Sequence, residues 1–273
     1  MPYLPAPLFE IPLFGGVPIH LFGILVASGV LLGSYIAERQ GEKWGLDKFD
    51  MRWLSTRTVI GGFVASHLFD VLAYDPARVL RDPWILLSFW AGLSSFGGFL
   101  GAAITFAWLT RRERMPALAF ADAIGLGLAP AWILGRLGCY SAHDHPGLQT
   151  SFFLAVEYPD GLRHDLGLYE AIFTIFLTLG VYQFARARRG PGAMVGFLAT
   201  AYAPVRFLLD FLRASDVDNP DPRYFGLTPG QWASIVCFAV GVWLLANARG
   251  KPPYAPPAPE PSAPDLAPGA RSD

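Results

Sequence analysis

Lysine is nearly absent from this chain of 273 residues, and Lys43, Lys48 and Lys251 all lie outside its apolar runs. No lysine is therefore placed in a last span to hold retinal as a Schiff base. Cysteine is scarcer still. Cys139 and Cys237 fall in different apolar runs, which offers neither a disulfide framework nor a zinc spacing. Charged residues make up only 16% and hydrophobic ones 53%, a balance that excludes an ordinary soluble domain of this size. There is no HExxH, P-loop or dinucleotide fingerprint. No internal repeat is evident, so an inverted-repeat transporter gains no support. Met1 to Gly16 contains no Lys or Arg, so the basic region of a cleaved signal peptide is missing and the first apolar run reads as an uncleaved anchor. The net charge of −1 points to no class of partner, and nothing points to nucleic acid.

What is present is a series of apolar runs at about 17–37, 57–74, 84–109, 117–139, 167–185, 191–212 and 230–248. Each is close to the roughly 20 residues that a helix needs to cross a bilayer. The runs are continuous rather than alternating, which favours a helical bundle over a barrel. The expected fold is all-α: a polytopic membrane protein of seven transmembrane helices. Basic residues cluster after the first run (Arg39, Lys43, Lys48, Arg52, Arg57), the third (Arg111, Arg112, Arg114), the fifth (Arg186, Arg188, Arg189) and the seventh (Arg249, Lys251, Arg271). The alternate side has only Arg78, Arg81, Arg163, Arg213 and Arg223. The positive-inside rule then places the N-terminus outside and the C-terminus in the cytoplasm. Residues 1–250 read as one membrane domain, with the first sixteen along the outer interface. Residues 251–273, dominated by Pro and Ala, read as a disordered cytoplasmic tail.

Two arginines break the apolar pattern. Arg136 sits in Gly135-Arg136-Leu137-Gly138, and Arg206 lies inside the sixth run. A charge in hydrocarbon costs about 2.5–3.5 kcal/mol on insertion scales, so such residues usually serve a site. Tyr202, Arg206, Asp210 and Arg213 share one helical face, and Asp210 can reach both arginines. One reading is an ion-pair staple, but that stripe leaves one arginine over. The other is an anion site near the outer leaflet, because guanidinium matches phosphate in bidentate fashion and Arg136 and Arg206 are expected at similar depth. Asp122 lies about 21 Å from Arg136 along a helix and cannot neutralise it; a structural role is expected there. Gly97, Gly98 and Gly101 permit close helix packing. The long segment 140–166 reads as an external loop. It holds His143, Asp144 and His145 just beyond Arg136, where a neutral imidazole could accept a proton. A metal bound by His67, Asp70, His143 and His145 is disfavoured, because no ligand spacing repeats within one helix.

Gly135-Arg136-Leu137-Gly138 with Tyr140 beyond it resembles the signature of the prolipoprotein diacylglyceryl transferases. The resemblance extends over Trp90 to Gly101, Asp122, Arg163-His164, Leu168-Tyr169-Glu170, Tyr202 to Arg213 and Gly230-Gln231. It implies a seven-span enzyme of the bacterial inner membrane that moves the diacylglyceryl group of phosphatidylglycerol onto the lipobox cysteine of a lipoprotein precursor. No cofactor or metal is implied; the partners are the lipid, the precursor peptide and the bilayer. The sulfur attacks a glycerol carbon and glycerol phosphate leaves, which calls for a base and for cations on the phosphate. The resemblance assigns Arg136 and Arg206 to catalysis, and Arg136, Gly98, Tyr202, Asp210 and Arg213 to substrate binding.

The chain departs from the family's usual pattern at several places. Phe96 stands where a histidine precedes the Gly-Gly pair, and Phe22 where the first span has a tyrosine. Cys139 replaces an asparagine, Ala142-His143-Asp144 replaces Asn-Gly-Glu, and His67 stands where the second span has arginine. His143 is accordingly the expected base, with His145 beside it. The alternative is a divergent member that binds phospholipid or lipopeptide without the usual transfer, or uses another acceptor.

Overall fold

The structure is a computed structural model. It describes Met1 and residues 8–11, 17–74, 76–88, 92–187, 189–217 and 222–254. A hairpin of β1 (Leu8–Ile11) and β2 (Val17–His20) leads into α1 (Leu21–Lys43) and α2 (Lys48–Phe69). A π-helical turn (Asp70–Tyr74), a short α3 (Pro76–Arg81) and a 3-10 turn (Pro83–Leu87) connect to α4 (Ser95–Arg112) and α5 (Ala117–Ala142). Then come β3 (Pro146–Gln149), β4 (Val156–Tyr158) and β5 (Gly161–Asp165), followed by α6 (Leu166–Ala185), α7 (Ala193–Leu209), a 3-10 turn (Asp210–Leu212) and α8 (Pro229–Ala248).

The molecule is mostly helical, and five segments among the described residues are long and apolar enough to cross a membrane: α1, α5, α6, Ala193–Leu212 and α8. Their outward faces carry large apolar side chains such as Leu31, Phe176 and Trp243, the pattern of helices solvated by lipid. Helices occupy the second and third expected positions as well, with changed bounds. α2 starts at Lys48 rather than 57 because Asp47 caps it, accepting from the Asp50 amide at 2.9 Å. Its charged first turns are matched by Glu38 of α1, which pairs with Lys48 at 3.3 Å and Arg52 at 2.8 Å. The third run does not form one helix. Pro83 begins a separate 3-10 turn, and Ser94 caps a new helix through the Gly97 amide.

Small residues set the helix pairs. A Cβ on Gly127 of α5 would stand 2.1 Å from the Gly33 carbonyl oxygen of α1, so only glycine permits that approach. A Cβ on Gly101 of α4 would stand 2.0 Å from Cβ of Ala65 in α2. Gly98 belongs to the same seam, facing Ser66, so the structure gives it a packing place.

Residues 140–166 are not the loop expected. They hold the end of α5 and an antiparallel sheet in the order β3-β5-β4. The fold is thus helical with two small sheets rather than purely α. Buried Arg163 of β5 clamps this sheet, donating to Asp160 at 2.6 Å and to Asp216 at 2.8 Å. A bridge between Gly147 and Arg213 ties the sheet to the end of α7.

At the opposite end of α5, Asp122 is fully buried and accepts from the amides of Gly192 at 2.8 Å and Val195 at 2.9 Å. It satisfies the first turn of α7, where Gly192 takes a left-handed conformation (φ 92°) that favours glycine. Tyr254 donates to the same carboxylate at 2.6 Å and stacks on Trp44. The tail expected to be disordered over 251–273 therefore holds a docked tyrosine near its start, and residues 255–273 lie outside the described residues.

Candidate functional site

Three helices bring their ionic residues together in the apolar core. Arg136 comes from α5, Glu170 from the first turns of α6, and Tyr202 and Arg206 from α7. Glu170 is the hub. Arg136 Nε lies 3.1 Å from its Oε2, Arg206 Nε lies 3.5 Å from its Oε1, and the Tyr202 hydroxyl donates to Oε2 at 2.5 Å. Arg136 Nη2 also donates to the Tyr202 oxygen at 3.2 Å. Arg206 Nη1 donates to Asp210 Oδ1 at 2.5 Å. The other Asp210 oxygen accepts from the Thr228 hydroxyl at the start of α8, where Thr228 and Gln231 form a reciprocal capping box.

Glu170 and Asp210 oppose Arg136 and Arg206, while the other arginine of the expected stripe, Arg213, lies in extended backbone beyond the 3-10 turn and bridges to Gly147. A buried carboxylate between two guanidiniums offsets the cost of desolvating all three, and it holds both arginines in fixed rotamers. These contacts still leave N–H donors on both guanidiniums, each of which carries five. Glu170 was not singled out as a site residue from the sequence. Its signal was there: a lone acid early in an apolar run, with nothing on its own helix to neutralise it.

Arg136 also closes one end of a cavity of about 350 Å³. Its walls come from α1, α2, α4 and α5 and are mainly apolar, with Phe22, Val26, Phe99 and Leu128 among them. Gly98 is not one of its walls. Trp132 lines the cavity under the Arg136 guanidinium, which lies 5.7 Å from its ring. Trp132 Nε1 and Thr58 Oγ1 are buried polar atoms on these walls that have no partner among the described residues.

The histidines separate. His143 ends α5 in a left-handed conformation (φ 51°) and is buried. Its Nδ1 lies 3.4 Å from Asp165, and its ring meets Tyr140 and Tyr158 edge-on. That is a place beneath the sheet, braced by the residue that caps α6. His145, not His143, joins the arginine site. Its donor atom lies with those of Cys139 and Asp144 in a group all within 4.8 Å, and the Arg136 guanidinium is 3.8 Å from Cys139 Sγ. Among the described residues this is the group with donor types and distances that could share a metal ion. Burial, and then the charges of Arg213 and Arg136, push the His145 pKa down to about 3, so the ring is neutral near pH 7. Burial pushes Asp144 up to about 6. Arg213 faces this corner electrostatically, and its backbone pairs with Gly147.

The other candidate ligands are engaged elsewhere. His67 is fully buried with its two ring nitrogens 3.1 Å from the Gly92 and 2.9 Å from the Ile85 carbonyl oxygens. Phe96, where the resemblance leads one to expect histidine, packs against Phe69.

Comparison with known proteins fits this arrangement. A family profile described as prolipoprotein diacylglyceryl transferase matches residues 8–247. The phosphatidylglycerol–prolipoprotein diacylglyceryl transferase of Nitratidesulfovibrio vulgaris (strain Miyazaki F) is 32% identical over 244 residues, covering 85% of this chain and 88% of the relative. The proteins of the same name from Ruegeria pomeroyi and Agrobacterium fabrum are each 30% identical, over 92% and 86% of this chain. With the match running from the first hairpin to the last helix, and so through both arginines and the carboxylates between them, the chain belongs to the prolipoprotein diacylglyceryl transferase family.

Proposed function

We propose that this protein transfers the diacylglyceryl group of phosphatidylglycerol to the lipobox cysteine of lipoprotein precursors, as a seven-span protein of the bacterial inner membrane with its N-terminus outside. One observation carries the reading. Two arginines from different helices converge on a buried carboxylate at the end of an apolar cavity. That is a shape for an amphiphile, with acyl chains among α1, α2, α4 and α5 and the phosphate at Arg136 and Arg206.

The substrate thiol attacks the glycerol carbon that carries the phosphate. A sulfur–carbon bond forms, the carbon–oxygen bond breaks, and glycerol phosphate departs with the electron pair. Arg136 and Arg206 stabilise the charge that develops on the leaving phosphate, in a water-poor site where such interactions are strong. Glu170 and Asp210 keep both guanidiniums aimed before the substrate arrives, so little reorganisation is needed. The thiol proton needs an acceptor, and His145 is the imidazole beside the arginines; with its pKa down to about 3 in the unliganded site it is a weak base there, and it can take the proton only once an anion offsets the arginine charges. A bound phosphate opposes the arginine charges that disfavour imidazolium, so proton acceptance becomes easier once the lipid is in place.

The test is transfer of labelled diacylglyceryl from phosphatidylglycerol to a lipobox peptide by purified protein. Arg136→Ala and Arg206→Ala should each lose on the order of 100-fold or more in rate while remaining folded. Full activity in either variant sinks the anion-site reading.

A further inference from the structure

A second cavity, of about 270 Å³, lies at the opposite end of the bundle, where α1 ends, α6 ends and the tail docks. Lys43, Arg186 and Arg189 stand on its walls, with Trp44, Pro253 and Tyr254. No acidic residue is among its lining residues, and among the described residues none of the three cations makes an ion pair. This differs from the arginine site, where each cation has an internal carboxylate. Elsewhere at the same end the sequence does supply carboxylates, as where Glu38 and Glu42 take Lys48. The walls are also built. Tyr254 stacks on Trp44 with ring centroids 4.6 Å apart, and its hydroxyl is fixed on Asp122. Arg189 lies over Phe184 at 3.9 Å.

We propose that this cavity holds the headgroup of a phospholipid carrying two negative charges, from the leaflet opposite the one that feeds the arginine site. Three cations without an ion-pair partner among the described residues, around one hollow, suit two phosphate charges better than one, and basic pockets between spanning helices on the cytoplasmic side favour such lipids. Aromatic and proline walls suit the glycerol and first methylenes beneath a headgroup rather than a fully hydrated ion. The docked tail residues Pro253 and Tyr254 form one wall, so the occupant and the tail stabilise each other. The proposal does not depend on the transferase reading, because none of these residues touches the arginine site.

The experiment is native mass spectrometry of the purified full-length protein with cardiolipin, with phosphatidylcholine and with inorganic phosphate as separate probes. Wild type should retain cardiolipin but not phosphatidylcholine. Each cation removed should weaken retention about fivefold, and Lys43→Gln/Arg186→Gln/Arg189→Gln on the order of 100-fold, with transfer activity unchanged. Arg186→Lys/Arg189→Lys keeps the charge and should keep the lipid, which separates loss of charge from loss of fold. Equal cardiolipin retention by wild type and the triple glutamine variant overturns the site. Binding of phosphate without cardiolipin overturns a lipid as its occupant.

Discussion

Arg136 and Arg206 are legible in the sequence because a charge in an apolar run is conspicuous on its own. Their partner is not. Glu170 meets Arg136 across 34 positions and Arg206 across 36, and no periodicity along one helix encodes such a meeting. The two histidines show the same limit at closer range. His143 and His145 are equivalent by spacing, but the left-handed turn at His143 sends one ring beneath the sheet and the other toward Cys139. His145→Ala should therefore slow transfer at least tenfold, whereas His143→Ala should lower the midpoint of thermal unfolding more than the rate; the reverse pattern would return the base to His143. The pH profile separates the neighbours further. With its pKa near 3, His145 stays neutral across pH 5–8 and creates no acid limb there. Asp144, raised to about 6, titrates within that range, and an acid limb near pH 6 should vanish in Asp144→Asn. The sign for stability is opposite to that of a paired carboxylate. A raised folded-state pKa stabilises the protein below the unfolded value of 3.8, and that contribution is lost as pH rises through about 6. Asp160 and Asp216, held low by Arg163, contribute above the unfolded value and lose their contribution in acid.

Helix by helix, apolar length locates elements well and their ends poorly. The ends follow from caps: Asp47, Ser94, Asp165 and Thr228 each accept from a backbone amide three residues on. The sheet of β3, β4 and β5 escaped the sequence reading because its strands are only three to five residues long and polar in part. Arg163, pinned between Asp160 and Asp216, ties the sheet together on one side, while Val156 and Tyr158 of β4 pack on Leu168. Between elements, contact rests on small residues, since the spanning faces gain nothing from excluding water in lipid. Gly127→Leu should drive α5 away from Gly33 of α1 and cost about 1–3 kcal/mol or more, read as a lower unfolding midpoint in detergent. The same pair of helices walls the apolar cavity, so lipid affinity should fall with it. A variant as stable and as active as wild type would show that the helices need not touch there.

Across the whole molecule, the ionic site and the basic cavity lie at opposite ends of α5, joined by an apolar middle. This layout suits a protein that contacts both surfaces of a bilayer, and the direction proposed for it rests on the positive-inside rule. A membrane-impermeant thiol reagent should label Phe153→Cys, in the sheet region, from outside intact spheroplasts. It should reach Arg112→Cys, at the end of α4, only after the membrane is opened. Labelling in the opposite order would invert the topology. By itself the sequence determined that the chain is a helical membrane protein, which residues are too costly to bury without purpose, and where the basic loops lie. Those are properties of composition and of runs along the chain, and hydrocarbon penalises charge wherever it occurs. The tertiary structure alone decided that Glu170 bridges both arginines, that His145 rather than His143 joins them, that Gly98 packs against α2, and that Tyr254 docks on Asp122. Each is a contact between residues distant in the chain or diverted by one turn, and only the packing of helices brings such groups within hydrogen-bond reach.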